Sequence, residues 1–346
     1  MSSKPLSDEG MEMTLPGMSE LREIARKFDF CACGVTELRA VDKETAERYH
    51  RWVEDGRNAE MGYLANYEDK RFDPRELMPE AKTMICLAMS YAPDPDRHLS
   101  VDGYKFAAYA LGKDYHDVMK AHLRDLAEAL GLKMYRFFTD TAPILERYWA
   151  QQTGIGWIGR NRQLIVPHHG SMVFLGEILT DAVASETTEP LKRGCGMCRR
   201  CMEACPTHAL GEVFDARLCL SYQTIENRND IPQQIACKMD ECIYGCDKCL
   251  MACPHNHNAV PTTVEEFMPS EALRAMTKED WRQMTVEQYR SLFKGSAVKR
   301  AKYEGLKRNI DCVEARTSCS QVKEVGCEHA ENSSNQVKEE QKEQER

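Results

Sequence analysis

The sequence predicts a mixed α+β protein, in which an α/β domain is followed by a cysteine-rich domain and a short C-terminal helical segment. Three observations support this prediction. Short apolar runs of strand length alternate with stretches of helical periodicity up to about residue 185. Ten of the sixteen cysteines then fall within 195–254. Beyond residue 262, apolar residues again recur at helical spacing.

The 346 residues suffice for two or three domains with substantial cores. The first residues are polar, and the last ones are highly charged and poor in large apolar side chains. We therefore expect both ends to be disordered. The predicted segments are a disordered N-terminus at 1–17, the α/β domain at 18–187, the cysteine-rich domain at 188–261, a helical segment at 262–312 and a disordered tail at 313–346.

Periodicity predicts the elements of the α/β domain. The apolar residues at 21, 24, 25 and 28 define one face of a first helix. The segment 114–130 predicts a second helix, with Gly131 at the position of a left-handed C-terminal cap. Apolar runs predict strands at 84–91, 133–139, 163–166 and 172–179. Asp140 therefore comes directly after a strand.

Composition excludes some classes of function. The formal net charge of −9 does not indicate a protein with a basic surface all over, as many nucleic-acid-binding proteins have. RNA binding would therefore depend on a local basic surface. No run of about eighteen apolar residues is present, and we expect no membrane span. The N-terminus has neither an apolar core nor twin arginines, and free thiols suit a reducing compartment. We expect a cytoplasmic protein.

The cysteines of 195–254 are spaced as in a two-cluster ferredoxin. Their runs are Cys195-x2-Cys198-x2-Cys201-x3-Cys205-Pro206 and Cys246-x2-Cys249-x3-Cys253-Pro254. In bacterial ferredoxins, the cysteine before proline ligates the other four-iron cluster. Disulfides are disfavoured in a long chain without a secretory signal, and structural zinc usually uses two separated Cys-x2-Cys pairs. We therefore predict two [4Fe-4S] clusters.

Two such clusters need eight thiolates. The ferredoxin spacing assigns one cluster to Cys195, Cys198, Cys201 and Cys253, and the other to Cys205, Cys246, Cys249 and one further cysteine. Cys242 would give a run one residue too long for the ferredoxin spacing, whereas Cys219 lies in a separate Cys-Leu-Ser-Tyr turn. Cys237 is a weaker third option. Spacing alone leaves the eighth ligand open between these residues.

Two neighbouring clusters conduct electrons, and those electrons need an acceptor. The polypeptide that precedes the cysteines is longer than a domain that only shields the clusters from solvent would need to be. We therefore expect the α/β domain to hold a substrate or a second redox cofactor.

Several motifs resemble the epoxyqueuosine reductases, and together they span roughly 18–310. In chain order they are Ala59-Glu-Met-Gly-Tyr-Leu64, Tyr109-Ala-Leu-Gly-Lys-Asp-Tyr-His116, Phe138-Thr-Asp-Thr-Ala-Pro-Ile-Leu-Glu146, Gly154-Ile-Gly-Trp-Ile-Gly-Arg-Asn161, Gly170-Ser-Met-Val-Phe-Leu-Gly-Glu-Ile-Leu-Thr-Asp181, Cys219-Leu-Ser-Tyr-Gln-Thr-Ile-Glu226, Tyr244-Gly-Cys-Asp-Lys-Cys249 and Gly295-Ser-Ala-Val-Lys-Arg-Ala-Lys302. The resemblance implies a nitroreductase-like, cobalamin-binding domain in front of the two-cluster domain.

The reaction that the resemblance implies is a reduction with loss of water, which converts the epoxide of a modified tRNA base to an alkene. The two clusters would pass electrons from an external low-potential donor to cobalamin. The departing oxygen needs a proton because an alkoxide is a poor leaving group. The substrate would be a tRNA carrying epoxyqueuosine, with its wobble nucleotide turned out into the site.

Asp140 matches the acid of the family's Asp-Thr-Ala-Pro motif. Desolvation at a strand end would raise the pKa of this carboxyl and keep its proton available near neutrality. The alternative is that Asp140 only caps a helix that begins at Pro143. The resemblance also favours Cys219 as the eighth cluster ligand. The cofactor-binding residues that it implies are Asp140, Arg160, Ser221, Gln223 and Tyr63.

A locally basic stretch near residue 300 predicts contact with the tRNA backbone. A solvated helix face is the ordinary explanation of such a run, but the acidic background makes a local excess of cations informative. The residues expected at the tRNA are Lys294, Lys299, Arg300, Lys302, Lys307 and Arg308, together with Glu226 and Arg228 at the border of the substrate mouth.

Two other functions share parts of this pattern. A corrinoid reductive dehalogenase would combine cobalamin with two clusters, but such proteins usually carry a twin-arginine signal, which is absent here. A ferredoxin-type electron carrier would use the α/β domain for docking alone, and it would have no need for Asp140.

Overall fold

The computed structural model describes residues 12–93 and 103–315. Its strands are β1 (Ala32–Glu37), β2 (Thr83–Ser90), β3 (Lys105–Phe106), β4 (Tyr135–Phe138), β5 (Trp157–Ile158), β6 (Leu164–Ile165), β7 (Val173–Thr180) and β8 (Cys242–Tyr244). Its helices are α1 (Met18–Arg26), α2 (Lys43–Glu54), α3 (Glu68–Phe72), α4 (Tyr115–Ala129), α5 (Glu146–Gln152), α6 (Arg200–Glu203), α7 (Leu220–Ile225), α8 (Gln233–Ala236), α9 (Lys248–Met251), α10 (Pro254–His257), α11 (Glu271–Arg274), α12 (Lys278–Arg282) and α13 (Val286–Leu292). Residues 302–315 are also helical.

The N-terminal domain is built on a four-stranded sheet with the order β1-β2-β7-β4. All three strand pairs are antiparallel. The strands predicted at 84–91, 133–139, 163–166 and 172–179 are confirmed as β2, β4, β6 and β7. Helices alternate with the strands, as expected. Strand β1 was not predicted, because its Ala-Cys-Gly-Val-Thr-Glu sequence contains few strongly strand-forming residues. Gly34 of this strand packs tightly, since a Cβ atom there would lie 2.3 Å from the carbonyl oxygen of Thr153.

Helix α4 covers one face of this sheet. Asp114 caps the helix by accepting a hydrogen bond from the backbone N–H of His116 at 3.1 Å. The buried apolar face includes Met119 and Leu123, and burial of each such side chain contributes about 1.5–3 kcal/mol. This face sets the position of the N-terminal end of the helix, where Tyr115 and His116 lie.

The cysteine-rich domain and the C-terminal helices share one hydrophobic core. Strand β8 pairs in parallel with β3, which joins this unit to the N-terminal domain. The ring of Phe106 lies 6.0 Å from Tyr244 and 5.2 Å from Trp281, measured between centroids. The segments predicted at 188–261 and 262–312 therefore pack as one unit.

We expected both ends of the chain to be disordered. This prediction is wrong for those terminal residues that the structure describes. Leu15 is 3% exposed, and its N–H donates to the carbonyl oxygen of Val183 at 2.8 Å. Residues 12–17 are thus part of the N-terminal domain, and residues 1–11 lie outside the described range. At the other end 313–315 are helical and Val313 is buried, while 316–346 lie outside the described range.

Across residues 12–93 and 103–315, no helix is both long and apolar enough to cross a bilayer.

Candidate active site

Four of the predicted ligands surround one cavity. They are the thiols of Cys195, Cys198, Cys201 and Cys253. Cys201 lies in α6 and Cys253 precedes α10, so two distant stretches of the chain meet here. Within the described ranges, no three His, Cys, Asp or Glu side chains form a group that would hold a single metal ion. The arrangement of thiols around a cavity fits a four-iron cluster.

A second group of thiols contains Cys219. Burial, together with the neighbouring thiols of Cys246 and Cys205, raises the pKa of Cys219 to about 11. The pKa of Cys249 is raised by burial and then by Cys246, Cys219 and Cys205. Cys219 therefore lies among the other three predicted ligands of the second cluster.

Cys242 has a different environment from Cys219. It lies in β8, is 4% exposed and forms a hydrogen bond with Cys246 that lowers its pKa. Lys248, Asp240 and Lys105 are its charged neighbours. Cys237 is exposed at the end of α8 and donates to the carbonyl oxygen of Gln234 at 3.4 Å. Of the three candidates, Cys219 has the surroundings expected of the eighth ligand.

Asp140 lies at the end of β4 in an unusual backbone conformation. Its φ of 56° is in the left-handed region, which non-glycine residues rarely adopt. Tyr115 donates a hydrogen bond to Asp140 Oδ2 at 2.6 Å, and His116 Nε2 lies 3.2 Å from the same oxygen. The Asp140 side chain is 58% exposed although these groups surround it. The carboxylate is therefore accessible, and we call the accessible space in front of it, between the end of β4 and the start of α4, the cleft.

The alternative role of Asp140 as a helix cap does not agree with the structure. Helix α5 begins at Glu146, and its N-cap residue is Leu145 rather than Asp140. No helix begins at Pro143. Instead, the backbone N–H of Asp140 donates to Glu146 Oε1. The loop of residues 139–145 thus presents the Asp140 carboxylate to the cleft.

The expectation that desolvation keeps Asp140 protonated is wrong. Burial does raise the pKa of this carboxyl, but hydrogen bonds from His116 and Tyr115 and the charge of Arg147 outweigh burial and lower it. Burial lowers the pKa of His116, yet its contacts with Asp114 and Asp140 outweigh this effect and raise the pKa to about 9. At neutral pH, His116 is therefore protonated and Asp140 is ionised.

Four residues of this site were not singled out from the sequence: Tyr115, His116, Glu146 and Glu177. All of them lie within the motifs that resemble the family. A charged residue within an otherwise apolar strand was the available signal for Glu177. Tyr115 and His116 come directly after the N-cap of α4, and they reach Asp140 only because this helix packs on the sheet.

Several predicted residues meet at the mouth of the same cleft. The Arg300 guanidinium lies over the Tyr63 ring, 5.5 Å from its centroid. It also donates to both carboxylate oxygens of Glu226, at 2.8 Å each. Arg228 donates to the backbone carbonyl oxygen of Arg300 at 2.7 Å. Besides burial, the charges of Glu226 and Asp140 raise the pKa of Tyr63, so both carboxylates lie near this ring.

Two predicted cofactor-binding side chains point elsewhere. Arg160 lines the first cysteine cavity, and its Nη2 donates to the carbonyl oxygen of Gly196 at 2.9 Å. Gln223 is 4% exposed, and its amide bonds to the Arg217 carbonyl and to Asn227. We therefore correct both assignments: Arg160 belongs to the first cysteine group, and Gln223 stabilises the turn after Cys219.

The basic stretch divides into internal and exposed cations. The Arg308 guanidinium donates hydrogen bonds to three backbone carbonyl groups and so stabilises the fold. We therefore correct its assignment as a tRNA contact. Lys307 forms an ion pair with Asp311. Three exposed lysines have no carboxylate partner among the described residues, and these are Lys294, Lys299 and Lys302.

The raised pKa of His116 predicts a pH-dependent contribution to stability. Because the folded-state pKa of about 9 exceeds the ordinary value of 6.5, the contribution is complete below pH 6.5 and is lost as pH rises through 9. The free energy of unfolding of the wild type should fall relative to His116→Gln over this interval, by up to about 1.4 kcal/mol per pH unit. Denaturant titrations at several pH values measure it, and parallel pH curves for the two proteins would contradict the assignment.

Two groups of cysteines, together with a site that contains a carboxylate, a tyrosine and a protonated histidine, define the class of iron–sulfur oxidoreductases. Residues 194–256 match the 4Fe-4S double cluster binding domain. Residues 71–141 match the family described as Epoxyqueuosine reductase QueG, DUF1730.

Full-length relatives agree with these matches. The chain is 40% identical to the epoxyqueuosine reductase of Cellulophaga algicola over 83% of this chain and 94% of that protein. It is 40% identical to the epoxyqueuosine reductase of Leadbetterella byssophila over 84% of this chain and 96% of that protein. The chain belongs to the epoxyqueuosine reductase family. This membership argues against a reductive dehalogenase and against a plain electron carrier.

Solved structures agree with the fold. The epoxyqueuosine reductase of Streptococcus thermophilus is 28% identical, with a TM-score of 0.76 over 86% of this chain and 81% of that one. An epoxyqueuosine reductase solved with a tRNA-Tyr epoxyqueuosine-modified stem loop is 26% identical, with a TM-score of 0.77 over 86% of this chain and 80% of that one. The mixed α+β fold is thus confirmed.

Proposed function

We propose that this protein reduces epoxyqueuosine at the wobble position of tRNA to queuosine. The overall change consumes two electrons and two protons, breaks both C–O bonds of the epoxide and releases its oxygen as water. The observation that carries this proposal is the Asp140 carboxylate, which is exposed in an open cleft while it is held by Tyr115 and His116. The solved relative with a modified stem loop supports the same substrate.

The two cysteine groups hold the electron-transfer clusters in this proposal. We assign one cluster to Cys195, Cys198, Cys201 and Cys253, and the other to Cys205, Cys219, Cys246 and Cys249. Thiolates are the ordinary ligands of such clusters. Burial of Cys219 and Cys249 raises their pKa values, so iron binding must supply the driving force for their deprotonation.

The cleft has features that fit a cobalamin. Asp140 remains largely exposed although side chains surround it, which leaves an open space in front of the carboxylate. Tyr63 presents a 48% exposed aromatic ring beside this space. When bound, the clusters supply electrons one at a time, and cobalamin supplies the reducing centre at the epoxide. Tyr63 and Ser221 would hold this cofactor, and Asp140 would remain accessible to the substrate beside it.

Asp140 passes a proton to the departing oxygen in this proposal. The ionised carboxylate accepts hydrogen bonds at Oδ2 from Tyr115 and from protonated His116. As negative charge develops on the epoxide oxygen, transfer of the His116 proton through Asp140 neutralises it. The contact between His116 Nδ1 and Asp114 Oδ1, at 2.7 Å, holds the imidazole ring in place.

The tRNA is held by exposed cations near the mouth of the cleft. Arg300 and Arg228 lie at this mouth, and Lys299 is next to Arg300 in the short helical turn Ala297–Ala301. Protein cations that neutralise phosphates release counterions and so favour binding. Glu226 holds the guanidinium of Arg300 by two hydrogen bonds, which fixes the shape of this border.

An external low-potential donor supplies the electrons. The cysteine loop at 190–202 contains four cations and no acidic residue. Met197, in the same loop, is 95% exposed between two of the assigned ligands. A basic loop with an exposed apolar side chain favours a donor with an acidic surface.

Replacing Lys299 and Lys302 together by Gln should weaken tRNA binding without changing cluster content. We expect the slope of log affinity against log salt to become shallower by about 0.7–0.9 for each phosphate that is no longer neutralised. Fluorescence binding titrations with a stem loop at several salt concentrations measure it. Lys133→Gln is the matched control, because Lys133 is exposed at the opposite end of β4 from Asp140. An unchanged slope in the double variant would rule out this surface.

A further inference from the structure

A fully buried carboxyl group lies beneath the cleft. Glu177 is in the middle of β7, is 0% exposed and is paired with Cys86 on β2 and with Phe138 on β4. No N–H or O–H group of the described residues donates a hydrogen bond to either of its side-chain oxygens. An ionised carboxylate without a donor in an apolar sheet is very costly. The strand itself therefore gives no structural reason for a glutamate at this position.

The neighbour of Glu177 is a second carboxyl group, that of Glu146. The two side chains are within hydrogen-bonding reach, as the effect of each on the other's pKa shows. Because ionised carboxylates only accept hydrogen bonds, such a contact is favourable only when one of the two groups carries a proton. Glu146 Oε1 also accepts from the backbone N–H of Asp140. Glu146 thus joins the buried Glu177 to the backbone of Asp140, and its carboxyl group lies near enough to Asp140 for the charge of Asp140 to raise its pKa.

Burial and neighbouring charge keep this inner pair protonated. Burial and the charge of Asp140 raise the pKa of Glu146 to about 8, and burial and Glu146 raise the pKa of Glu177 well above its ordinary value. The titratable and charged groups that face the pair are Cys86, Tyr115, Asp140 and Arg147. The cations Arg147 and His116 interact with Asp140, which they help to keep ionised.

We propose that Glu146 and Glu177 are a proton store that supplies the second proton of the reaction through Asp140. This inference rests on the proposed reduction, in which the epoxide oxygen leaves as water and so takes up two protons. His116 provides the first proton and the carboxyl pair provides the second, while the two electrons come from the external donor. After product release, solvent restores both protons through the open cleft. Glu146 adjoins Asp140 and Glu177 lies behind it, so both are positioning and storage residues rather than contacts of the substrate.

The direct test is infrared spectroscopy of the cluster-loaded protein without substrate. The wild type should show the carbonyl band of a protonated carboxylic acid at neutral pH, and this band should titrate near pH 8. Glu177→Gln and Glu146→Gln should each change or remove it. Glu186→Gln is the matched control, because this carboxylate accepts from the backbone N–H of Met18 at 2.7 Å, its one hydrogen bond among the residues that the structure describes. A band that is absent from the wild type, or unchanged in both variants, would overturn the proposal.

Kinetics provide the second readout. In single-turnover reactions Glu146→Gln should lower the rate at pH 8 by at least about tenfold, because only solvent then supplies the second proton. Its pH profile should fall at a lower pH than that of the wild type. Superimposable pH profiles would also overturn the proposal. Failure of the wild type to convert substrate would instead contradict the proposed function. The infrared measurement uses no substrate, so it would still test the protonated carboxyl pair. If Glu177→Gln does not fold, the Glu146 variant and the wild-type band still decide the outcome.

Discussion

Replacing Asp140 by Asn should slow the reduction of epoxyqueuosine by about 10²–10⁴-fold, the range expected for loss of a positioned proton-transfer group. The amide retains the size of the carboxylate, but it cannot pass a proton from His116 to the departing oxygen. Cluster content should not change, because Asp140 follows β4 in the N-terminal domain and the assigned ligands are in another domain. Single-turnover conversion of a modified stem loop, followed by mass spectrometry of the nucleosides, measures the effect.

Asp181→Asn is the matched control for this substitution. Asp181 follows β7, and among the described residues its carboxylate accepts only a long hydrogen bond from Thr180, at 3.4 Å. This control should convert the stem loop at the wild-type rate. A rate for Asp140→Asn within about threefold of the wild type would be too small a change for removal of a proton-transfer group and would refute its role.

Replacing Cys219 by Ser should remove the second cluster and abolish electron delivery to the site. Serine is a much weaker iron ligand than a thiolate, and Cys219 lies among three other assigned ligands. Iron per chain should fall to about half, since one of two four-iron clusters is absent. The reaction rate should fall to the background level. Iron analysis and electron paramagnetic resonance of the reduced protein measure both clusters separately.

Cys242→Ser is the matched control, because it changes a buried thiol that also contacts Cys246. We expect it to retain both clusters. Loss of a cluster in Cys242→Ser together with retention of both in Cys219→Ser would exchange the assignment of the two residues.

The local part of the cluster sites follows from sequence. Cys195, Cys198 and Cys201 are close together in the chain, so a short loop and one turn of helix bring their thiols to one cavity. The remaining ligands of each cluster come from distant segments. Spacing could not choose between Cys219 and Cys242, because the choice depends on how α7 and β8 pack in the shared core.

The protonation states at the cleft could not be predicted from sequence alone. The position of Asp140 after a strand was correctly predicted, but its pKa depends on Tyr115 and His116, which another element brings to it. Tertiary packing likewise decides that Arg308 donates to backbone carbonyl groups while Lys299 remains exposed. Glu177 looks like an irregularity in an apolar strand until the structure places it against Glu146.

The central claim is tested by incubating the protein, reconstituted with iron–sulfur clusters and cobalamin under a low-potential reductant, with an epoxyqueuosine-containing tRNA stem loop. We predict that the modified nucleoside loses the mass of one oxygen atom, and that omission of cobalamin or of the clusters prevents this change. Recovery of unchanged epoxyqueuosine from the complete, cluster-loaded mixture would contradict the claim.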